Sequence, residues 1–287
     1  LTVLGNGGYD LGARATQIRD QLFARERFES TDMRAIQLDD RALLAERWQQ
    51  RLATTLTSVR NDAPWVSALE NALQDWNRHA AADSVAYRVV HTFRRNVMKI
   101  VLNGFAAQIR QHDASFEMPR LSQAEWIVWQ LIEHQPQHLL PSTFTTWEEL
   151  LRQCAKSTAE QLAQHGGITQ QTWGEANAAQ IRHPLSPKLP SWMARWLDMP
   201  KDPLPGDHNM PRVQSPSFGA SQRSAVIPGQ EERSYMDMPG GQSGHPLSRY
   251  YGSGHASWVN GKPTPFLPGA TERRLTLSPG EYQRRSD

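Results

Sequence analysis

Ser243 and His245 stand two residues apart in the glycine-rich run MPGGQSGHPLSRYY, residues 238–251. A serine beside a histidine is the raw material of nucleophilic catalysis. The spacing argues against that use. A phosphate-cradling loop needs GxxxxGK[ST] or GxGxxG ahead of a helix, and a serine elbow needs GxSxG, whereas Gly241-Gln242-Ser243-Gly244 runs on into His245. Glycines that tolerate positive φ and Pro246, which fixes the exit direction, fit a tight turn, so Ser243 and His245 read as structural. His134 and His138 lie four apart like the two histidines of HExxH, but Pro136 interrupts the helix and Gln135 replaces the glutamate. His245 and His255 have no acidic or histidine neighbour at ligand spacing, and no metal site is expected. Asp39 and Asp40 form a carboxylate pair, yet adjacent residues on a helix diverge, and one of them reads as an N-cap for the helix that follows. The single cysteine, Cys154, rules out an internal disulfide and reads as a small buried hydrophobe in EELLRQCAKSTAEQL. No serine, threonine or cysteine has an activating partner recognisable from sequence.

Composition narrows the partners. The 287 residues suffice for a large core in one big domain or two ordinary ones. With 31 basic and 29 acidic side chains, and only a dilute basic excess after residue 180, no nucleic-acid partner is expected. No apolar run approaches the roughly 20 residues needed to cross a bilayer, so no membrane partner is expected. The opening LTVLGNGGYDLGARA lacks the basic and apolar regions of a signal peptide, and the chain reads as a piece of a longer translation product.

These residues must be placed by two kinds of chain. Only 4 of the 19 prolines fall within residues 1–180, which separates a helical part from a part rich in turns and short strands. Leu44, Trp48, Leu52 and Leu56 recur at i+4 and predict one apolar helical stripe; Trp65, Leu69, Leu73 and Trp76 predict another, after Pro64. Val85, Val89, Phe93, Val97, Val101 and Phe105 predict a longer helix. Further helices are expected around 12–28, 122–134, 146–165 and 172–181, with a short amphipathic turn carrying Trp192, Met193 and Trp196. Strand-length stretches at 212–218, 221–227 and 232–237 alternate poorly and are too short to stand alone, so they are expected to join strands from elsewhere. The resulting division is a mainly helical region 1–205, sheet-contributing strands and turns over 206–250, and an extended wrapping tail 251–287, all of one larger domain. The fold class is α+β, incomplete on its own.

Several spaced blocks, in order, resemble the penicillin acylase (penicillin amidase) family: GNGGYDLGARATQIRDQL, QLDDRALLAERW, TWGEANAAQIRHPL, GDHNMPRV, GASQRSAVIPGQEERSYMDMPGGQSGHPLSRYY and HASWVNGKPTPFLPG. They cover essentially the whole chain and correspond to the later part of the family's large β-subunit. The resemblance implies an N-terminal-nucleophile hydrolase of αββα layering, whose sheets the strands would join. It implies a self-cleaving precursor, a serine nucleophile at the β-chain N-terminus and that serine's own α-amine as base. Substrates would be small N-acyl amides such as β-lactam side chains or acyl-homoserine lactones. Leu1 departs from the pattern, having no hydroxyl or thiol. The nucleophile, the oxyanion asparagine and the calcium ligands of many members are therefore expected upstream, on the α-subunit and the first part of the β-subunit, which become this chain's partners. The periplasm is the implied compartment. Arg14 matches the arginine that orients the oxyanion asparagine and the nucleophile's amine, and is the one catalytic-site residue expected in this chain, in a supporting role. The alternatives are a non-catalytic structural or binding protein of acylase-like architecture and, more weakly, an unrelated serine esterase.

Overall fold

The computed structural model describes residues 8–59, 63–119, 121–164, 166–271 and 273–278. Its helical body consists of α3 (Leu43–Ser58), α4 (Pro64–Leu73), α5 (Val85–Arg110), α6 (Ala124–His134) and α7 (Trp147–Ala163). Caps mark the starts that the sequence favours: Ser84 accepts the Tyr87 N–H ahead of α5, Thr146 accepts the Glu149 N–H ahead of α7, and Pro64 opens α4. The apolar stripes meet in one core. Trp48, Leu52, Val89, Phe93, Val97, Ile132 and Leu150 are fully buried, each such side chain contributing about 1.5–3 kcal/mol by leaving water. Trp48 lies edge-on to Phe93, with ring centroids 6.3 Å apart, and edge-on to Trp129 at 5.2 Å. In α4 the buried face is Val66, Leu69 and Ala72; Trp65 and Leu73 are only partly buried, and Trp76 lies beyond the helix end.

Before this body run α1 (Ala13–Phe23), which ends short of the helix expected over 12–28, and α2 (Ser30–Gln37), which was not expected. The second start is a capping box in which Glu29 and Asp32 each accept the other's backbone N–H. After the body come α8 (Trp173–Ala176), α9 (Ser191–Leu197) and α10 (His255–Asn260). The helix expected over 172–181 stops at Ala176 because the buried Asn177 turns its amide to the carbonyls of Leu204, Gly206 and Gln214. On α9, Trp192 and Trp196 stand largely in solvent.

The strands β1 (Arg223–Ala225) and β2 (Tyr235–Asp237) form a two-stranded antiparallel ribbon with Arg223 opposite Asp237, and Pro265 bridges Tyr235 on the other edge. The expected strand 212–218 is instead a tight turn: Ser215 N–H bonds the Phe218 carbonyl, and Gln214 bridges Gly219 across Pro216. Three arginines, from β1, from the segment before it and from α2, fasten the end of α10. Arg223 donates to the Trp258 carbonyl at 2.8 Å, Arg212 to Val259 at 3.0 Å, and Arg34 of α2 to Gly261, so three carbonyls at the end of α10 and just beyond it meet cations. The glycine-rich run closes on α10 as well. A side chain on Gly254 would meet the Gly241 Cα at 2.8 Å, and Gly241 itself takes φ +74°.

Candidate functional site

Arg14 sits in the first turn of α1, half-buried, after Gly12, whose φ of +84° turns the chain into the helix. With Gln17 and Gln21 it shares one face, by the three- and four-residue spacing that aligns helical side chains. That face is held chiefly by one carboxylate, with Gln17 Nε2 also donating to the Arg41 carbonyl at 3.2 Å. Asp39 Oδ2 accepts Gln17 Nε2 at 2.8 Å and Gln21 Nε2 at 2.7 Å. Arg41 adds its backbone N–H and Nε to Oδ1, at 3.0 and 2.9 Å, and its Nη2 to Oδ2 at 2.6 Å. Burial pushes the Asp39 carboxyl upward, but the Arg41 and Gln17 hydrogen bonds outweigh it and hold the group below the usual carboxylate range. Arg14 itself makes neither a hydrogen bond nor an ion pair among the described residues, so its five donors are uncommitted there.

Two concavities flank α1. One, of about 310 Å³, is lined by Leu11, Gly12, Thr16, Leu43, Leu44 and Trp126 among others. The other, of about 460 Å³, includes Phe28, Asp39, Asp40, Arg41 and His79. Here His79 Nδ1 lies 2.6 Å from Asp40 Oδ1, the arrangement by which a carboxylate orients an imidazole base. Among the described residues no serine, threonine or cysteine lines this second cleft.

The expected N-cap role for Asp39 or Asp40 is not seen: Ala42 caps α3 without a side-chain bond. The two carboxylates diverge, as adjacent residues must, Asp39 toward α1 and Asp40 toward His79 and Arg212. The Asp39 clasp went unread in the sequence. The available signal was a pair of glutamines, four apart, on the Arg14 face of a helix with almost no apolar stripe.

Elsewhere the chemistry-bearing residues are engaged in structure. Ser243 Oγ accepts only the His245 backbone N–H, at 3.3 Å, and His245 Nδ1 accepts the Leu247 N–H, so the two side chains do not bond each other. Cys154 is buried in α7, and burial pushes its thiol up to about 12, far from a thiolate at neutral pH. Tyr87 donates to Asp207 Oδ2 at 2.6 Å, and His91 Nε2 lies 3.7 Å from the same atom. Burial lowers His91 to about 4 against the pull of Asp207, which leaves it neutral and packed on Trp173. His134 bonds Gln130 on α6, and His138 sits in a following 3-10 turn. Among the described residues no group of three or more His, Cys, Asp or Glu side chains could hold a metal ion. Among them, too, no helix is long and apolar enough to cross a membrane.

The family description that matches this chain is penicillin amidase, over residues 2–274. No individual curated protein matches it.

Proposed function

Since this chain belongs to the penicillin amidase family, whose members are hydrolases acting on amide bonds, we propose that it forms the later part of an acylase that cleaves a small N-acyl amide. The class of bond is the side-chain amide of a β-lactam or the acyl amide of a homoserine lactone. In this reading a serine at a self-cleavage junction upstream attacks the amide carbon. Its α-amine, with an unperturbed pKa of about 7.7–8.0, takes the hydroxyl proton and passes it to the departing amine. Water then hydrolyses the acyl-serine ester and restores the hydroxyl. Arg14 does not react. Its planar fork, always charged, holds the oxyanion asparagine and the nucleophile's amine in register.

The observation that carries this reading is the pairing of a fixed helix with a free guanidinium: α1 is clamped through Gln17 and Gln21, while Arg14, on the same face, is left without a partner among the described residues. An uncommitted half-buried arginine suits a group that binds something outside those residues. In the same reading β1 and β2 continue sheets of an αββα sandwich built with upstream strands, calcium is held by upstream ligands, and the mature enzyme works in the periplasm.

The test is expression of the complete reading frame with an N-acyl p-nitroanilide as substrate. The expected result is a burst of nitroaniline followed by turnover, with mass spectrometry showing a new chain that begins with serine, while residues 1–287 alone release nothing. A burst from residues 1–287 alone would refute the upstream nucleophile. An unprocessed complete protein that binds but never cleaves acyl amides would favour the non-catalytic reading instead.

A further inference from the structure

We propose that Asp39 is a positioning residue for the hydrolytic reaction, acting on Arg14 through the polar clasp that suspends α1 from the body of the protein; this rests on the reading of Arg14 given above.

The helices of the body, α3 to α7, are placed by apolar burial. The helix α1 is not. Its one buried residue is Gln17; of its large apolar side chains Ile18 is only partly buried, and Leu22 and Phe23 are 39% and 82% exposed. What fixes it laterally is hydrogen bonding, chiefly to one carboxylate whose side chain is only 7% exposed, with Gln17 Nε2 also donating to the Arg41 carbonyl at 3.2 Å. That carboxylate is itself anchored from several directions. The Asp39 carbonyl accepts Arg212 N–H at 3.0 Å, the Asp40 carbonyl accepts Ala80 N–H at 2.9 Å, and Ala42, fully buried, donates to Arg78 at 2.8 Å. Arg41 pairs across to His79 in an isolated antiparallel bridge while its guanidinium grips both Asp39 oxygens. The backbone around Asp39 is therefore tied to the body, and Asp39 transmits that fixed position to α1.

Because Gln17 and Gln21 lie on the Arg14 face, two bonds a turn apart set both the axial position and the rotational phase of the helix. Loss of the acceptor would let α1 rotate or lift without unfolding the core, and the guanidinium would move with it. A displacement on the order of 1 Å of a group that orients reacting atoms is enough to cost about a hundredfold in rate.

The experiment uses the complete processed enzyme. Asp39→Asn keeps the shape but presents an amide N–H₂ where donors already converge, so the clasp opens. The expected result is a kcat lowered about tenfold to a hundredfold with KM little changed. In an Arg14→Ala background the same substitution should have no further effect, because both act through one guanidinium. Hydrogen exchange should accelerate over 13–23 and stay unchanged in the centre of α5. Gln21→Met, which removes one donor at the edge of the clasp, should act in the same direction more weakly and serves where Asp39→Asn does not accumulate. An impaired Arg14→Ala enzyme beside unimpaired Asp39→Asn and Gln21→Met enzymes overturns the proposal alone, as does an Asp39→Asn effect that persists undiminished without Arg14. Unchanged turnover in Arg14→Ala removes the reading of Arg14 itself and this proposal with it.

Discussion

The helical body and the shell around it are held by different forces. In α3 to α7 the sequence supplies regular apolar stripes, and the fully buried Trp48, Phe93, Leu52 and Leu150 exclude water from a continuous core. In α1, α2, the β1–β2 ribbon and α10 there is little comparable apolar surface, since the second apolar cluster contains only Ala179, Leu204, Trp258 and Val259. Directional bonds take over there: Asp39 gathering Gln17, Gln21 and Arg41, and Arg34, Arg212 and Arg223 gathering the carbonyls at the end of α10. Apolar burial tolerates small shifts, whereas hydrogen bonds fix direction and fail abruptly when one partner is removed. The difference teaches where to look for function. The residue that the proposed function singles out, Arg14, lies in the polar shell, on a helix whose placement depends on a few named bonds.

The comparison breaks first, and most severely, in the body. Phe93→Ala removes a fully buried ring packed edge-on to Trp48 and should cost about 3–5 kcal/mol, a large fraction of the stability of an ordinary domain. Urea titration followed by far-UV circular dichroism should show the whole helical signal moving to lower denaturant. An unchanged midpoint would mean that the core is not the source of stability.

A smaller and more local loss is expected in the shell from Asp237→Asn. Asp237 is 1% exposed, accepts Thr264 N–H at 3.0 Å, lies 3.5 Å from Arg34 and stands opposite the buried Arg223 across the ribbon. Without its charge the buried Arg223 and the partly buried Arg34 lose a neighbouring anion, at a cost of about 3 kcal/mol. Hydrogen exchange should rise over 223–237 and 255–265 while the centre of α5 stays protected. Equal acceleration in both regions would show that body and shell form a single cooperative unit.

Acid sharpens the contrast with the mildest perturbation. The carboxyl of Asp39 has a folded-state pKa below its unfolded value of about 3.9, so its clasp contributes fully above that pH and is lost as pH falls through the depressed folded value. The protection factor of α1, with the intrinsic pH dependence of exchange divided out, should therefore be flat near neutrality and fall below about pH 4 ahead of that of α5. Loss of α1 on raising the pH would contradict the sign of the effect.

The body was legible in the sequence because apolar periodicity and caps such as Ser84 and Thr146 are local signals. The shell was legible only in part. The ends of β1 and β2 are set by pairing with each other and with Pro265, and α8 ends where Asn177 reaches carbonyls up to 37 residues away. The run 212–218 has strand-like length, yet Pro216 and the Ser215–Phe218 bond turn it back on itself. Arg14 could be named from a resemblance, but its clasp joins residues 18 to 24 apart in sequence, where no periodic signal connects them.

The central claim, that Arg14 serves the reaction with its guanidinium and not merely the surface with its charge, is tested most directly by Arg14→Lys in the complete enzyme. Lysine keeps the charge and loses the planar fork, and the account predicts a kcat lower by about a hundredfold together with slowed self-cleavage. Turnover and processing equal to those of the unmodified enzyme would contradict it.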